Sequence, residues 1–335
     1  FNGNSAYYGG GMCNSESAPR LTNCTFSRNL AGRDGAGMYN YWYSDPMLTS
    51  STFTGNHADA FGGGMFNDDS SPALTNCTFS GNSAEHAGGM HNLYSDPTLI
   101  NCTFGRNSAE HGGGMHNYNS SPTLGNCTFS ENSAPKGPAL GFDSYEQSYP
   151  STVQMTNCIL WDGGNEIWNN DGSTITITYS DVQDDEPDDG IVYPGIGNID
   201  EDPRFVPGPG GCYYLSQVVA GDAVNSPCVD SGSDTASSLG LDTMTTRSDE
   251  GIDMGIVDMG CHYPVTGQPF IMGDFDRSGR IDLRDFAGLQ SCFTGSPDDE
   301  PVTVSPCCRI FDFKPPDGDV DLDDYAAFQS ALTGP

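Results

Sequence analysis

Residues 75–100 read TNCTFSGNSAEHAGGMHNLYSDPTLI, Thr75 to Ile100, and the same landmarks return from Phe1 to Gly141. A Phe-x-x-Asn element recurs with its Phe at Phe1, Phe26, Phe53, Phe79, Phe104 and Phe129. A run of small residues follows each time and ends at Met12, Met38, Met65, Met90, Met115 and Leu140. The Phe recur at intervals of 25 to 27, and a fixed period of this size means a solenoid, a propeller or an array of small units. The apolar pieces are short runs between Gly, Asn, Ser and Pro, too short for helices. Leu74-Thr75-Asn76-Cys77-Thr78-Phe79 alternates as a strand does. A propeller blade needs roughly 40 residues, and one unit cannot bury its own Phe and Met without neighbours above and below. The period therefore predicts an all-β, right-handed parallel β-helix, one coil per repeat.

Equivalent residues then stack at about 4.8 Å. The Phe and Met columns become internal stacks. Three asparagine columns follow: Asn4, Asn29, Asn56, Asn82, Asn107 and Asn132; Asn14, Asn40, Asn67, Asn92 and Asn117; and Asn23, Asn76, Asn101, Asn126 and Asn157. They are expected at corners, where Asn tolerates left-handed backbone, with amides bonded from coil to coil. The Gly runs at Gly9–Gly11, Gly62–Gly64 and Gly112–Gly114 are read as tight corners. Cys24, Cys77, Cys102, Cys127 and Cys158 form a further column, read as buried, mostly reduced thiols. Cys212, Cys228, Cys261, Cys292, Cys307 and Cys308 lie outside it and are the better disulfide candidates. Asn-Cys-Thr at Asn23, Asn76, Asn101 and Asn126 matches the glycosylation sequon, incidentally if those Asn line an inner corner.

Phe-x-x-Asn paired with Gly-Gly-Gly-Met resembles the FxxN and GGA-aliphatic repeats of the chlamydial polymorphic membrane proteins. The resemblance implies β-helical passenger regions of surface adhesins; this chain places Met where that family has an aliphatic residue.

The chain carries 45 acidic and 12 basic residues, a formal net charge of −33. That sign argues against nucleic acid and anionic membranes as partners, and favours divalent cations. Residues 1–150 hold 12 acids and 5 bases, so −26 of the charge lies beyond them. No run has the length of a transmembrane helix, and twelve Cys suit a secreted or cell-surface protein. The strict period fails after Gly141, so residues 142–263 are expected to form irregular coils and a cap. Asp202-Pro203-Arg204-Phe205, then Ser226 to Gly232, then Asp258-Met259-Gly260 resemble the C-terminal coils of large secreted bacterial β-helix proteins. Residues 181–190, DVQDDEPDDG, read as a solvated acidic turn before a Ca²⁺ site.

Residues 264–269 are read as a linker to a small module, residues 270–335, built on a duplication. GRIDLRDFAGLQSCFTG begins at Gly279 and GDVDLDDYAAFQSALTG at Gly318. Leu283, Phe286 and Leu289, and then Leu322, Tyr325 and Phe328, have helical spacing, each helix stopping at Thr-Gly. Before the first helix, Asp274, Asp276, Ser278, Asp282 and Asp285 supply oxygens at calcium-loop positions 1, 3, 5, 9 and 12, with the Arg280 carbonyl at 7 and Gly279 at 6. The second loop offers Asp312, Asp317, Asp319, Asp321 and Asp324, with one extra residue and no ligand at position 3. Two such loop–helix copies resemble a type I dockerin. The resemblance implies Ca²⁺ binding and a cohesin-like partner, while Pro315-Pro316 and Cys292, Cys307 and Cys308 depart from the family.

A polysaccharide lyase on this fold needs a basic group, and Arg20, Arg28, Arg33, Arg106, Lys136, Arg204 and Arg247 do not share one column. A glycosidase needs paired carboxylates, which Glu85 and Glu110 offer as any neighbouring coils would. Glu85-His86 and Glu110-His111, with His91 and His116, have the makings of a Zn²⁺ site, but repetition of a surface motif is the preferred account. Outward members of the group Tyr39, Tyr41, Trp42, Tyr43, Phe66, Tyr94 and Tyr118 suit stacking on sugar rings or on a protein. The expectation is a non-catalytic adhesive or structural solenoid with no catalytic residues assigned; a pectate-lyase-like lyase or a glycoside hydrolase carrying a dockerin is the alternative. Phe1 opens an uncapped coil, so Ca²⁺-assisted head-to-tail stacking of copies is expected as well.

Overall fold

The computed structural model describes residues 1–144, 150–183, 193–209, 211–267, 281, 289, 308–311, 320 and 322–331. Two compact units divide the chain. The first comprises Phe1–Asp202 with Asp230–Asp234 and Ile256–Cys261.

The first unit is the expected parallel β-helix. Three seven-stranded sheets run along it, each strand pairing with its equivalents one coil away. One sheet carries Met12, Met38, Met65, Met90, Met115, Leu140 and Ile167 in register. A second carries Leu21, Leu48, Leu74, Leu99, Leu124, Met155 and Ile177. The third carries Phe26, Phe53, Phe79, Phe104, Phe129, Leu160 and Val182. These side chains make one continuous core. From Phe1 to Phe129 successive rings lie 4.6–4.7 Å apart and within 4° of parallel. The strand spacing sets that separation.

The coils outlast the strict repeat. Thr152–Thr156, Ile159–Trp161, Ile167–Asn169, Thr174–Thr178 and Asp181–Val182 continue the three sheets, so the regular stack reaches Val182. The period breaks at Gly141 because the segments between strands change length while the pairing does not.

The three asparagine columns differ in facing. Only the third, Asn23 through Asn157, adopts left-handed backbone, with φ of 51–56°. The other two point inward. Asn29 donates to Asn56, Asn56 to Asn82, Asn82 to Asn107 and Asn107 to Asn132, at 2.9–3.0 Å. Asn14 through Asn117 repeat the pattern at 2.8–2.9 Å. The turn beside the first ladder belongs to the preceding residue, as at Arg28, Gly55, Gly81, Arg106 and Glu131. A buried amide must be hydrogen-bonded, and an identical amide one coil away satisfies both groups at once. Of the sequon residues, Asn101 and Asn126 are buried and Asn23 is exposed.

The cysteine column is made of free thiols, buried at Cys77, Cys102, Cys127 and Cys158. Cys228 and Cys261, expected as bridge candidates, are instead buried thiols outside any disulfide, whereas Cys212 and Cys308 are disulfide-bonded. Cys261 belongs to the first unit, where its backbone donates to Thr128 Oγ1.

The second unit comprises Pro203–Val229, Thr235–Gly255 and His262–Pro335. It holds an antiparallel hairpin, Phe205–Gly208 with Gly211–Leu215, and a short pair, Met244–Thr245 with Tyr263–Pro264. Its described residues include the α-helix Leu322–Ala331. Ile281, Leu289, Cys308, Phe311, Val320 and Phe328 form a small core there. Among the described residues no helix is long and apolar enough to cross a membrane.

Candidate functional site: paired columns on the methionine sheet

In the first five strands of the methionine sheet, Met and the Asn two residues on face the core, and the residue between them points away from it. The outward column reads Cys13, Tyr39, Phe66, His91, His116, Gly141 and Trp168. Each of these strands is preceded by left-handed backbone, at Gly9, Gly35, Gly62, Ala87, Gly112 and Gly137 for the first six and at Gly164 and Asn165 for the last. Such a turn doubles the chain back, so the residue before it comes beside the outward column. A second column results: Asp34, Phe61, His86, His111 and Lys136 bridge from coil to coil.

The two columns touch. Phe61 lies 5.9 Å from Phe66 and 4.8 Å from His91, and His86 lies 5.1 Å from Phe61. One coil on, four imidazoles meet. His91 stacks on His116 at 5.1 Å, His86 sits 5.5 Å from His116, and His111 sits 4.8 Å from His86. Ring nitrogens of His86, His111 and His116 all fall within 4.8 Å of one another. His91 and His116 are buried, at 3% exposure each, while His86 and His111 are half-buried. Nδ1 of all four histidines and Nε2 of His116 have no hydrogen-bond partner.

Burial depresses the affinity of all four rings for a proton. It holds His116 down to about 3, with the His86 and His111 rings adding to the effect, and pushes His91 well below its ordinary value. Around His86 and His111, Glu85, Glu110 and Asp143 oppose that depression and Lys136 adds to it. The cluster closes at Gly141, where a Cβ would come within 2.7 Å of His116 Cδ2. Trp168 from the next coil reaches that space, its ring 5.0 Å from His111 and 4.8 Å from Lys136 Nζ.

A second feature lies at the far end of the same strands. Trp42 and Tyr43 both take left-handed backbone, and so does Tyr94. Their side chains are 59%, 81% and 53% exposed. Backbone bonds run from Tyr43 N to Asp69 O, Asp69 N to Leu93 O and Tyr94 N to Tyr118 O, so Tyr43, Asp69 and Tyr94 occupy one corner on successive coils. Tyr43 and Tyr94 are therefore about 10 Å apart along the axis. Tyr41 and Tyr118 flank them. Of the aromatic group singled out in the sequence, Phe66 is not an outward member but is buried beneath Phe61.

The catalytic candidates do not gather. Glu85 and Glu110 are both exposed, on adjacent coils. Arg28 and Arg106 share a corner column, but three coils apart, and Arg106 is paired with Glu131 at 3.1 Å. Sequence reasoning passed over one acidic pair, Asp162 and Glu166, where burial raises both carboxyls and the negative neighbour raises Asp162 further. Glu166 Oε1 accepts from the backbone of Asp162 and of Gly164, and Asp162 accepts from Asn132. Those bonds make it an end-piece of the interior ladder. Of the calcium-loop residues, Asp274, Asp276, Ser278, Arg280, Asp282, Asp285, Asp312, Asp317, Asp319 and Asp321 lie outside the described residues; Asp324 is buried in the first turn of Leu322–Ala331.

The family model for the right handed beta helix region matches residues 10–182, a little over half of the 335 residues. That match spans the three sheets and both surface features. No curated protein and no solved structure matches the chain.

Proposed function

The chain belongs to the right-handed β-helix family, and from that premise we propose that it is a non-catalytic, extracellular adhesive scaffold. Its binding face is the corner ridge of Trp42, Tyr43 and Tyr94, and its ligands are glycan or protein surfaces presented to that ridge. The observation that carries this reading is the exposure of three large aromatic rings on rigid, hydrogen-bonded corners. Leaving such rings in water forgoes about 1.5–3 kcal/mol of burial each, which a bound sugar face or apolar patch recovers. Rings fixed by backbone bonds lose little further freedom on binding.

The C-terminal repeats supply the attachment part of the proposal. Asp274, Asp276, Ser278, Asp282 and Asp285, with the Arg280 carbonyl, make an oxygen set suited to Ca²⁺, and the second loop a weaker one. The helix Leu322–Ala331 lies where the second copy places it, and Ile281 and Val320, equivalent in the two copies, share one core. The resemblance to a dockerin proposes a cohesin-like protein as the partner of this module.

The test is retention of the full chain on immobilised neutral and acidic glycans and on cell surfaces, with the products sized for shortening. Retention that falls at least tenfold in Trp42→Ala, Tyr43→Ala and Tyr94→Ala, with uncut glycan, is expected. Shortened glycan, or retention indifferent to all three substitutions, would sink the adhesive reading.

A further inference from the structure

The four-imidazole cluster is poorly explained as packing. One coil earlier the same two columns hold Phe61 and Phe66, which fill the space without any polar atom. His86, His91, His111 and His116 replace that apolar pair on two successive coils and leave buried nitrogens with no hydrogen-bond partner. Each such nitrogen gives up its bond to water and gains none in return. Two Phe in the same columns show that the backbone does not demand the imidazoles.

We infer that His86, His111 and His116 form a binding site for a divalent transition metal of the zinc class, separate from the oxygen loops of the C-terminal repeats. Three imidazole nitrogens with an open fourth position are a ligand set for Zn²⁺, Co²⁺, Ni²⁺ or Cu²⁺, and a poor one for Ca²⁺, which takes oxygens. Tetrahedral zinc at about 2.0–2.1 Å needs nitrogens about 3.4 Å apart. The nitrogens here lie within 4.8 Å of one another, so small side-chain rotations close the set. His116 forms the buried floor, and half-buried His86 and His111 form the open side through which the ion enters. Exposed Glu85 and Glu110 precede His86 and His111, and with Asp143 they counter the charge of Lys136, which is itself held over Trp168. His91, stacked on His116, fixes the orientation of that ring.

The site ties two successive coils together, so its metal would brace the solenoid at that point. This inference needs no part of the adhesive reading and can fail or stand alone.

The experiment is calorimetric titration of the full chain with Zn²⁺ in excess Ca²⁺, so that oxygen loops are already filled. A Cys13→Ser background removes the exposed thiol as a competing ligand. One equivalent of Zn²⁺ is expected to bind and to raise the melting temperature. His86→Phe and His116→Phe, which copy Phe61 and Phe66 in the same two columns, are expected to weaken binding more than about 100-fold. His57→Ala, at an exposed histidine elsewhere on the solenoid, is expected to bind as the parent does. His86 is half-buried, so its variant decides the matter even if His116→Phe folds poorly. No Zn²⁺ binding by the parent, parent-like binding by His86→Phe, or equal loss in His57→Ala overturns the assignment.

Discussion

The side-chain amide of Asn132 donates to both carboxylate oxygens of Asp162, at 3.1 and 3.3 Å, so the interior ladder of amides ends on an acid. Every earlier rung pairs amide with amide. At Asp162 the geometry is kept and the chemistry changed, and Glu166 stands directly behind it.

That substitution gives the solenoid a pH dependence. Burial raises both carboxyls, and Glu166 adds repulsion at Asp162. A carboxyl whose folded pKa lies above its unfolded value favours folding fully below the unfolded value, near 4, and loses that contribution as pH rises through the folded one. Thermal stability of this end should therefore fall as pH rises from about 4. Asp162→Asn restores an amide rung and should gain on the order of 1–2 kcal/mol at pH 7, with little change at pH 4. Melting temperatures of both proteins across that range check it; parallel curves would refute it.

Ala87 occupies a position where the flanking coils have Gly62 and Gly112, and it carries a left-handed φ of 57°. Single L-residues there cost about 1–2 kcal/mol. Ala87→Gly is therefore expected to stabilise the protein by about 1 kcal/mol. Gly62→Ala should destabilise it by at least as much, because its Cβ would meet the Met65 carbonyl oxygen at 2.3 Å. Denaturant midpoints of the two variants should move in opposite directions.

Phe79 lies between Phe53 and Phe104, with ring separations of 4.6 and 4.7 Å. Phe79→Ala opens a void in a fully buried column and should cost about 3–5 kcal/mol. Phe79→Leu should cost roughly 1–2 kcal/mol, since Leu160 continues the same column beyond Phe129. Chemical denaturation of the pair, read on the β-sheet signal, measures the difference.

Calcium removal is expected to act on one part only. With chelator, protease should cut beyond Pro264 while the coils of residues 1–182 persist, and Asp274→Ala should mimic the chelator. Equal loss of both parts, or no change in either, would contradict Ca²⁺ binding by the C-terminal loops.

The constant interval between landmarks was enough to predict stacked coils, because only a repeat that shares its core with identical neighbours can place Phe26 through Phe129 and Met12 through Met115 at even spacing. The free thiols of the cysteine column and the ladders of amides followed from the same alignment. What sequence could not decide was facing. Whether an Asn column lies inside or at a left-handed corner depends on backbone dihedrals, and only the Asn23 column takes the corner. The extent of the coils was also hidden, since strands from Thr152 to Val182 pair in register across segments of unequal length. The imidazole cluster needed tertiary structure most. His86 and His91 stand close in sequence, yet nothing in that spacing shows that a left-handed turn at Ala87 brings them side by side. The next coil then supplies His111 and His116 at the strand spacing, and a pattern that reads as surface repetition becomes a half-buried set of three converging ligands.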